Sequence, residues 1–227
     1  MTEPRRTLTG LGVIFDIDGV LVDSYDAHLE SWRRLAIEFG KPITEAQFAA
    51  TFGMRSREII HLLFGIDDDA TLRRCDDRKE AIYRDLIRDA VPEMPGASNL
   101  VRRLFAAGAK IAVGSSGPPV NVDLVCSALK IDDLLAARVT GADVTHGKPD
   151  PEVFLLAARR MGIEPTKCVV IEDAPSGVEA AHRARMICVA LRGQTSSSEI
   201  EQADLVIKTL NYLDGAAIAS LLVGKPA

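Results

Sequence analysis

Two aspartates, Asp16 and Asp18, stand two residues apart at the end of a short apolar run, Val13-Ile14-Phe15, with Gly19 behind them. The run reads as a strand buried on both faces, and a buried strand does not end in two acids by default. Neighbouring carboxylates repel each other and resist desolvation, so the site calls for a cation or a shared proton. The pattern recurs downstream. Val169-Val170-Ile171 runs into Glu172-Asp173, and Ala174-Pro175-Ser176-Gly177 then turns into a helix through small residues that permit close packing. Hard oxygen donors of this kind suit Mg²⁺, which keeps several waters and is commonly shared with a phosphate.

Two more segments add groups for an anion. Ile111-Ala112-Val113 ends in Gly114-Ser115-Ser116-Gly117-Pro118-Pro119, where a hydroxyl and backbone N–H groups meet the start of a helix. A helix N-terminus favours an anion, and proline fits its first turn without losing a hydrogen bond. Taken alone, Gly-Ser-Ser-Gly is equally an ordinary strand-to-helix turn. In His146-Gly147-Lys148-Pro149-Asp150-Pro151, Pro149 should hold Lys148 extended and aim its ammonium at one point, with Asp150 as helix N-cap. A lone loop lysine is ordinarily just solvated, so Lys148 gains weight from the acidic strand ends around it.

The elements that must position these groups follow from the apolar pattern. After Asp23 the sequence predicts a helix from an N-cap at Ser24 to about Phe39, then helices over 45–50 capped by Thr44, 54–64 and 70–90, with no strand pattern. From Pro92 onward helices and strands alternate: helix 97–107, strand 110–114, helix 118–130, a short strand near 138–140, helix 151–161, strand 168–172, helix 176–185, strands 187–191 and 205–207, and a last helix. Such alternation predicts right-handed βαβ units and a parallel sheet. The expected fold is therefore α/β: a Rossmann-like, doubly wound core of residues 1–23 and 91–227, interrupted by an all-helical cap over 24–90.

Composition bounds the partners. The chain has 227 residues, 47% of them hydrophobic, enough for a full core, and its net charge of −5 offers no basic stripe for nucleic acid. The N-terminal stretch has no apolar segment resembling a signal peptide, and no apolar run approaches membrane-spanning length, which predicts a cytoplasmic protein with no membrane partner. Cys75, Cys126, Cys168 and Cys188 lack metal-ligand spacing and are expected to be buried, reduced thiols.

Together the four motifs, Asp16-Ile17-Asp18-Gly19, Ser115, Lys148-Pro149 and Glu172-Asp173 with Gly177, resemble those of the haloacid dehalogenase superfamily, in order along the whole chain and with the helical insert of its cap-bearing subgroup. The resemblance implies Mg²⁺-dependent phosphoryl transfer. Asp16 would attack phosphorus to form an aspartyl-phosphate, and Asp18 would protonate the leaving oxygen and then activate water. Asp16, the main-chain carbonyl of Asp18, and Asp173 would hold Mg²⁺, with Glu172 a ligand or a support for one. Ser115, with Ser116, Gly117 and Lys148, would hold the phosphoryl oxygens.

The second aspartate at Asp18 resembles the phosphatases and mutases of the superfamily rather than its dehalogenases. In the insert, His28, Trp32, Gly53, Arg55, Arg57, Lys79 and Tyr83 are similar to features of β-phosphoglucomutases and related phosphatases, implying substrate contacts from His28, Arg55 or Arg57, and Lys79. By composition alone, His28 is equally a polar helix residue, and the three cations equally a solvated face. β-Phosphoglucomutases follow the second motif with a Lys-Asn pair that helps bind a remote phosphate; here Pro118-Pro119 stands in its place. The expected reaction is therefore hydrolysis of a small phosphorylated metabolite, such as a sugar phosphate, by a monomer or weak dimer. A phosphomutase is the alternative. A receiver-like phospho-acceptor needs about half this length and places its acceptor mid-sheet, and a non-catalytic binding protein is the remaining alternative.

Overall fold

The computed structural model describes residues 8–51, 56–193 and 198–223. The chain divides into two compact units, Met1–Asp23 with Glu93–Ala227, and Ser24–Pro92.

The larger unit is built on a parallel sheet of β1 (Gly12–Phe15), β2 (Lys110–Gly114), β3 (Leu135–Val139), β4 (Cys168–Glu172), β5 (Ile187–Leu191) and β6 (Leu205–Ile207), in the order β3-β2-β1-β4-β5-β6. This is the doubly wound order, and its reversal point lies between β1 and β4. Ile14, Ala112, Val170 and Cys188 bury one face of the sheet together with Val153, Phe154, Ala157, Val178 and Ala181 from two of the helices. The alternate residues Val13, Phe15, Val113 and Ile171 are equally buried, as period-2 alternation in a strand covered on both faces demands.

The smaller unit holds α1 (Tyr25–Glu38), α2 (Glu45–Ala49), α3 (Ser56–Phe64) and α4 (Asp69–Ile87). Its core comes from one stripe on each helix: Leu29, Trp32, Leu35 and Ala36, then Phe48, then Ile59, Ile60 and Phe64, then Leu72, Cys75 and Ile82. Thr44 forms a full capping box with Gln47, and Asp68 caps α4 by accepting the Thr71 N–H. Gly53, Met54 and Arg55 lie outside the described residues. The larger unit adds α5 (Ala97–Ala106), α6 (Pro119–Ala128), α7 (Glu152–Met161), α8 (Pro175–Arg183) and α9 (Gly215–Val223).

Several local expectations need correction. Ser24 stands at the N-cap position of α1 but makes no side-chain cap bond. Its helical backbone (φ −91°, ψ −2°) departs from the extended conformation that aims a capping hydroxyl at the next turn. Asp150 is one residue early for a cap: Pro151 takes that position, and Asp150 Oδ1 accepts the Glu152 N–H at 3.0 Å. The Lys148–Pro149 bond is cis. Strand β3 begins at Leu135, earlier than the expected 138, because its first residues Leu135, Ala136 and Ala137 include no β-branched side chain to mark a strand; its pairing with β2 also shifts register between Ile111 and Ala112. All four cysteines are free and buried, and burial pushes the Cys126 and Cys168 thiols up to about 12. No helix among the described residues is long and apolar enough to cross a membrane.

Candidate active site

The register of β1 against β4 creates the site. Phe15 lies beside Ile171, and the Asp16 N–H donates to the Ile171 carbonyl at 3.0 Å, so the residues that follow, Asp16 and Glu172, leave the sheet side by side. Two acidic ends more than 150 residues apart thereby meet at the reversal point of the sheet. One oxygen from each of Asp16, Glu172 and Asp173 lies within 4.8 Å of the others.

Two glycines make this crowding possible. Gly19 has φ +75°, and a Cβ there would lie 1.9 Å from Asp173 Oδ2. A Cβ on Gly177, in the first turns of α8, would lie 1.8 Å from Glu172 Oε1. Each glycine leaves a carboxylate resting directly against main chain.

Lys148 supplies the balancing charge. Its Nζ donates to Asp16 Oδ1 at 2.5 Å and to Glu172 Oε1 at 2.6 Å, and sits over the Phe154 ring at 4.9 Å. Glu172 Oε2 accepts the N–H groups of Asp173 and Ala174 at 2.7 and 2.9 Å. Glu172 is thus a buried hub that orients Lys148 and the turn bearing Asp173.

The electrostatics are unbalanced all the same. Burial raises the Asp16 carboxyl from its ordinary 3.8 to about 7; Lys148 opposes the rise, while Glu172 and Asp18 add to it. Burial likewise lifts Asp173 well above the carboxylate range, with Glu172 and Asp16 adding to it. Burial alone would lower Lys148, but Asp16 and Glu172 hold its ammonium well above the usual lysine range. Asp16, Glu172 and Asp173 are gathered beside one ammonium, which bonds the first two, and the charge of Asp18 adds to the strain on Asp16 and Asp173. A hard divalent cation fits this all-oxygen donor set in charge and chemistry.

Ser115 is buried at the end of β2, next to β1 in the sheet, and its Oγ accepts the Gly117 N–H at 3.0 Å. Ser116 is exposed and Gly117 half-buried. One support escaped the sequence reading. The Gly141 N–H donates to the Gly117 carbonyl at 2.9 Å, and Gly141 opens a short turn closed by a capping box between Thr140 and Asp143. Arg160 in turn holds Asp143, whose carboxyl is pulled down to about 2 by that guanidinium and by Thr140. The Thr-x-x-Asp spacing was the available signal.

Within the helical unit, His28 and Lys79 come together: Nδ1 and Nζ are 2.9 Å apart, the His28 ring stacks on Tyr83, and Nζ lies over Trp32 and Tyr83. Lys79 is 4% exposed and bonds Glu80 at 2.8 Å, so the solvated-face alternative fails for it. Arg57 fits that alternative, pairing with Asp69 on an exposed face. Arg55 falls outside the described residues.

The chain is similar to known proteins. The family model for haloacid dehalogenase-like hydrolases matches residues 11–185. A 5-amino-6-(5-phospho-D-ribitylamino)uracil phosphatase of Arabidopsis thaliana is 32% identical over 94% of this chain, which spans 58% of that relative's length. A phosphorylated carbohydrates phosphatase of Thermotoga maritima is 33% identical over 76% of this chain and 80% of its own. The β-phosphoglucomutase of Clostridium difficile superposes with a TM-score of 0.82 at 25% identity, covering 93% of this chain and 96% of the other. The extent of the family match, the reversal-point carboxylates and the helical insert after β1 lead to one conclusion: this chain belongs to the haloacid dehalogenase-like hydrolases, in the subgroup of β-phosphoglucomutases and sugar phosphatases.

Proposed function

We propose that the protein is a Mg²⁺-dependent phosphatase that hydrolyses a small phosphorylated metabolite, a sugar phosphate or similar monoester, through an aspartyl-phosphate on Asp16. The observation that carries this reading is Lys148 joining Asp16 and Glu172 at 2.5 and 2.6 Å beside the acidic cluster. That arrangement holds one carboxylate in a fixed position next to a cation able to attract phosphoryl oxygens.

An Asp16 carboxylate oxygen forms the bond to phosphorus while the ester P–O bond breaks, and Asp18 gives its proton to the departing alkoxide. Water then attacks the phosphorus of the acyl phosphate. Asp18 takes its proton, the Asp16–phosphorus bond breaks, and the carboxylate returns with inorganic phosphate as product. Lys148, the Ser115 hydroxyl and the N–H groups around Ser116 and Gly117 hold the phosphoryl oxygens. Asp16, Asp173, the Asp18 carbonyl and Glu172 would bind Mg²⁺, which when bound offsets charge on the phosphoryl group and favours ionised Asp16. Of the residues of the helical unit that the resemblance implies for the remainder of the substrate, His28 and Lys79 would serve, with Arg55, whereas Arg57 pairs with Asp69 on an exposed face.

Hydrolysis is favoured over phosphomutase action by the start of α6. Pro118 and Pro119 occupy its cap and first position, so neither brings a backbone N–H or a side-chain donor for a second phosphate. The names of the Thermotoga and Arabidopsis relatives support a phosphatase, while the Clostridium structure keeps the mutase in view. The test is phosphate release from a panel of phosphorylated metabolites with Mg²⁺, using the wild type and Asp16→Asn. Mg²⁺-dependent turnover in the wild type and none in a folded Asp16→Asn is expected. Undiminished turnover in that variant removes Asp16 as nucleophile. Efficient conversion of β-glucose 1-phosphate to glucose 6-phosphate with a bisphosphate primer would favour the mutase instead.

A further inference from the structure

We propose that Glu152, the first residue of α7, is a positioning residue for Lys148, acting through the reach of its carboxylate oxygen rather than through its charge. Glu152 Oε2 accepts two successive main-chain N–H groups, from Thr145 at 3.0 Å and His146 at 2.9 Å, just before Gly147-Lys148. Its own N–H donates to Asp150 Oδ1, and the Asp150 N–H donates to the Gly147 carbonyl at 3.0 Å. Downstream of the lysine, Arg183 of α8 donates to the Pro149 carbonyl at 3.3 Å. The loop is therefore tied to α7 before Lys148 and to α8 after it, and the lysine side chain runs inward to Asp16 and Glu172.

A different role for an acid in this place is to complement the positive end of the α7 dipole, and the two roles make opposite demands. The dipole needs charge close to the first turn. The clamp needs an acceptor oxygen that reaches residues 145 and 146, seven and six positions back. Glu152→Gln keeps the reach and a carbonyl oxygen with two lone pairs but drops the charge. Glu152→Asp keeps the charge but draws the oxygen back by one carbon–carbon bond, about 1.5 Å, which breaks both bonds to the loop.

The experiment uses the full chain with Glu152→Gln, Glu152→Asp and Glu152→Ala. It measures Mg²⁺-dependent hydrolysis of an aryl phosphate, the thermal midpoint, and the rate at which an amine-acylating reagent labels Lys148, followed by peptide mass spectrometry without substrate. Asp and Ala are expected to lower kcat about tenfold with KM within twofold, and to raise Lys148 labelling several-fold; Gln should match the wild type in both. The reverse order, with Asp active and Gln impaired, overturns the proposal in favour of the dipole. Equal labelling of Lys148 in all forms also overturns it. The kinetic arm rests on the phosphatase reading. If the wild type releases no phosphate, that reading fails, and the order of labelling still decides the role of Glu152. Should Glu152→Ala not fold, the Gln and Asp variants carry the same comparison.

Discussion

Gly177→Ala adds one methyl group to the protein and should be among its most damaging conservative changes. In an isolated helix the substitution would stabilise α8 by about 1 kcal/mol. Here the new Cβ would lie 1.8 Å from Glu172 Oε1 and 2.0 Å from its carboxyl carbon, so the carboxylate must leave its place. Glu172 is 1% exposed and holds three bonds, to Lys148 at 2.6 Å and to the N–H groups of Asp173 and Ala174 at 2.7 and 2.9 Å. Hydrogen bonds involving a charged group contribute about 1.5–3 kcal/mol each. Loss of two of the three, offset by the gain in helix propensity, leaves a net destabilisation of about 2–5 kcal/mol. The released Lys148 no longer holds Asp16, and kcat should fall about a hundredfold or more, the scale of losing one stabilising donor at a reacting centre. Urea denaturation and steady-state phosphate release read the two effects. Shortening the displaced side chain provides the control: Glu172→Asp in the Gly177→Ala background should cost less than the sum of the single changes, because it gives the methyl group room. An unchanged urea midpoint and kcat in Gly177→Ala, or strict additivity in the double variant, would refute the reasoning.

At the second motif, a Cβ on Gly141 would lie 2.4 Å from the Ser116 carbonyl oxygen, a main-chain atom that cannot swing away. Gly141→Ala should therefore displace the Ser115–Gly117 turn and raise KM for a phosphate monoester about tenfold, or about 1.4 kcal/mol of binding; an unchanged KM would remove this turn from phosphate binding. The acidic cluster sets a pH dependence of definite sign. Asp16 titrates near 7 when folded and near 3.8 when unfolded, and Asp173 is shifted in the same direction. Between those pH values the folded state keeps protons that the unfolded chain has released, so these groups make stability fall as pH rises from about 4 to 7 without divalent cations. Asp143, drawn down to about 2, contributes in the opposite sense, but its effect is complete below that window. Thermal midpoints should show Mg²⁺ stabilising the protein more at pH 7.5 than at pH 5, with Asp16→Asn removing much of the difference; an equal Mg²⁺ shift at both pH values would exclude this linkage.

The strand ends were legible because the chemistry of each is local. Val13-Ile14-Phe15 before Asp16, and Val169-Val170-Ile171 before Glu172, announce buried strands that stop at acids, and the structure places both as expected. Distances between motifs were less accessible. Nothing within either motif specifies that Phe15 pairs with Ile171, which follows from the strand order of the whole sheet. The supports of Lys148 and Ser115 were missed for the same reason. Glu152 and Gly141 look like a helix-start acid and a loop glycine until the fold brings them against the Lys148 loop and Gly117. In the helical unit, charge counting could not choose between the two readings of Lys79. It is an apparent surface cation in a charged helix, yet it turns into a nest of Trp32, Tyr83 and His28. Its ion pair with Glu80 joins adjacent residues, a spacing that helix geometry ordinarily leaves unpaired.

That contrast accounts for why the two units differ in how much function their sequences disclose. At the sheet, phosphoryl chemistry imposes a charge problem: several buried carboxylates must coexist within a few ångströms. The solution needs a lysine at Lys148, small residues at Gly19 and Gly177, and strand ends that converge at the reversal point, so few residue types are admissible at each position. The helical unit meets a looser demand, to pack four amphipathic helices around Trp32, Leu35 and Ile60 while presenting some polar groups. Lys79 satisfies its charge with Glu80, its donor capacity partly with His28 and its aliphatic stem with aromatic rings, none of which a motif prescribes. Under the proposed function, any residues of the helical unit that recognise the substrate are held to this looser demand. It follows that exchanging cap residues should alter selectivity among phosphate esters far more readily than it alters the use of Asp16 and Lys148.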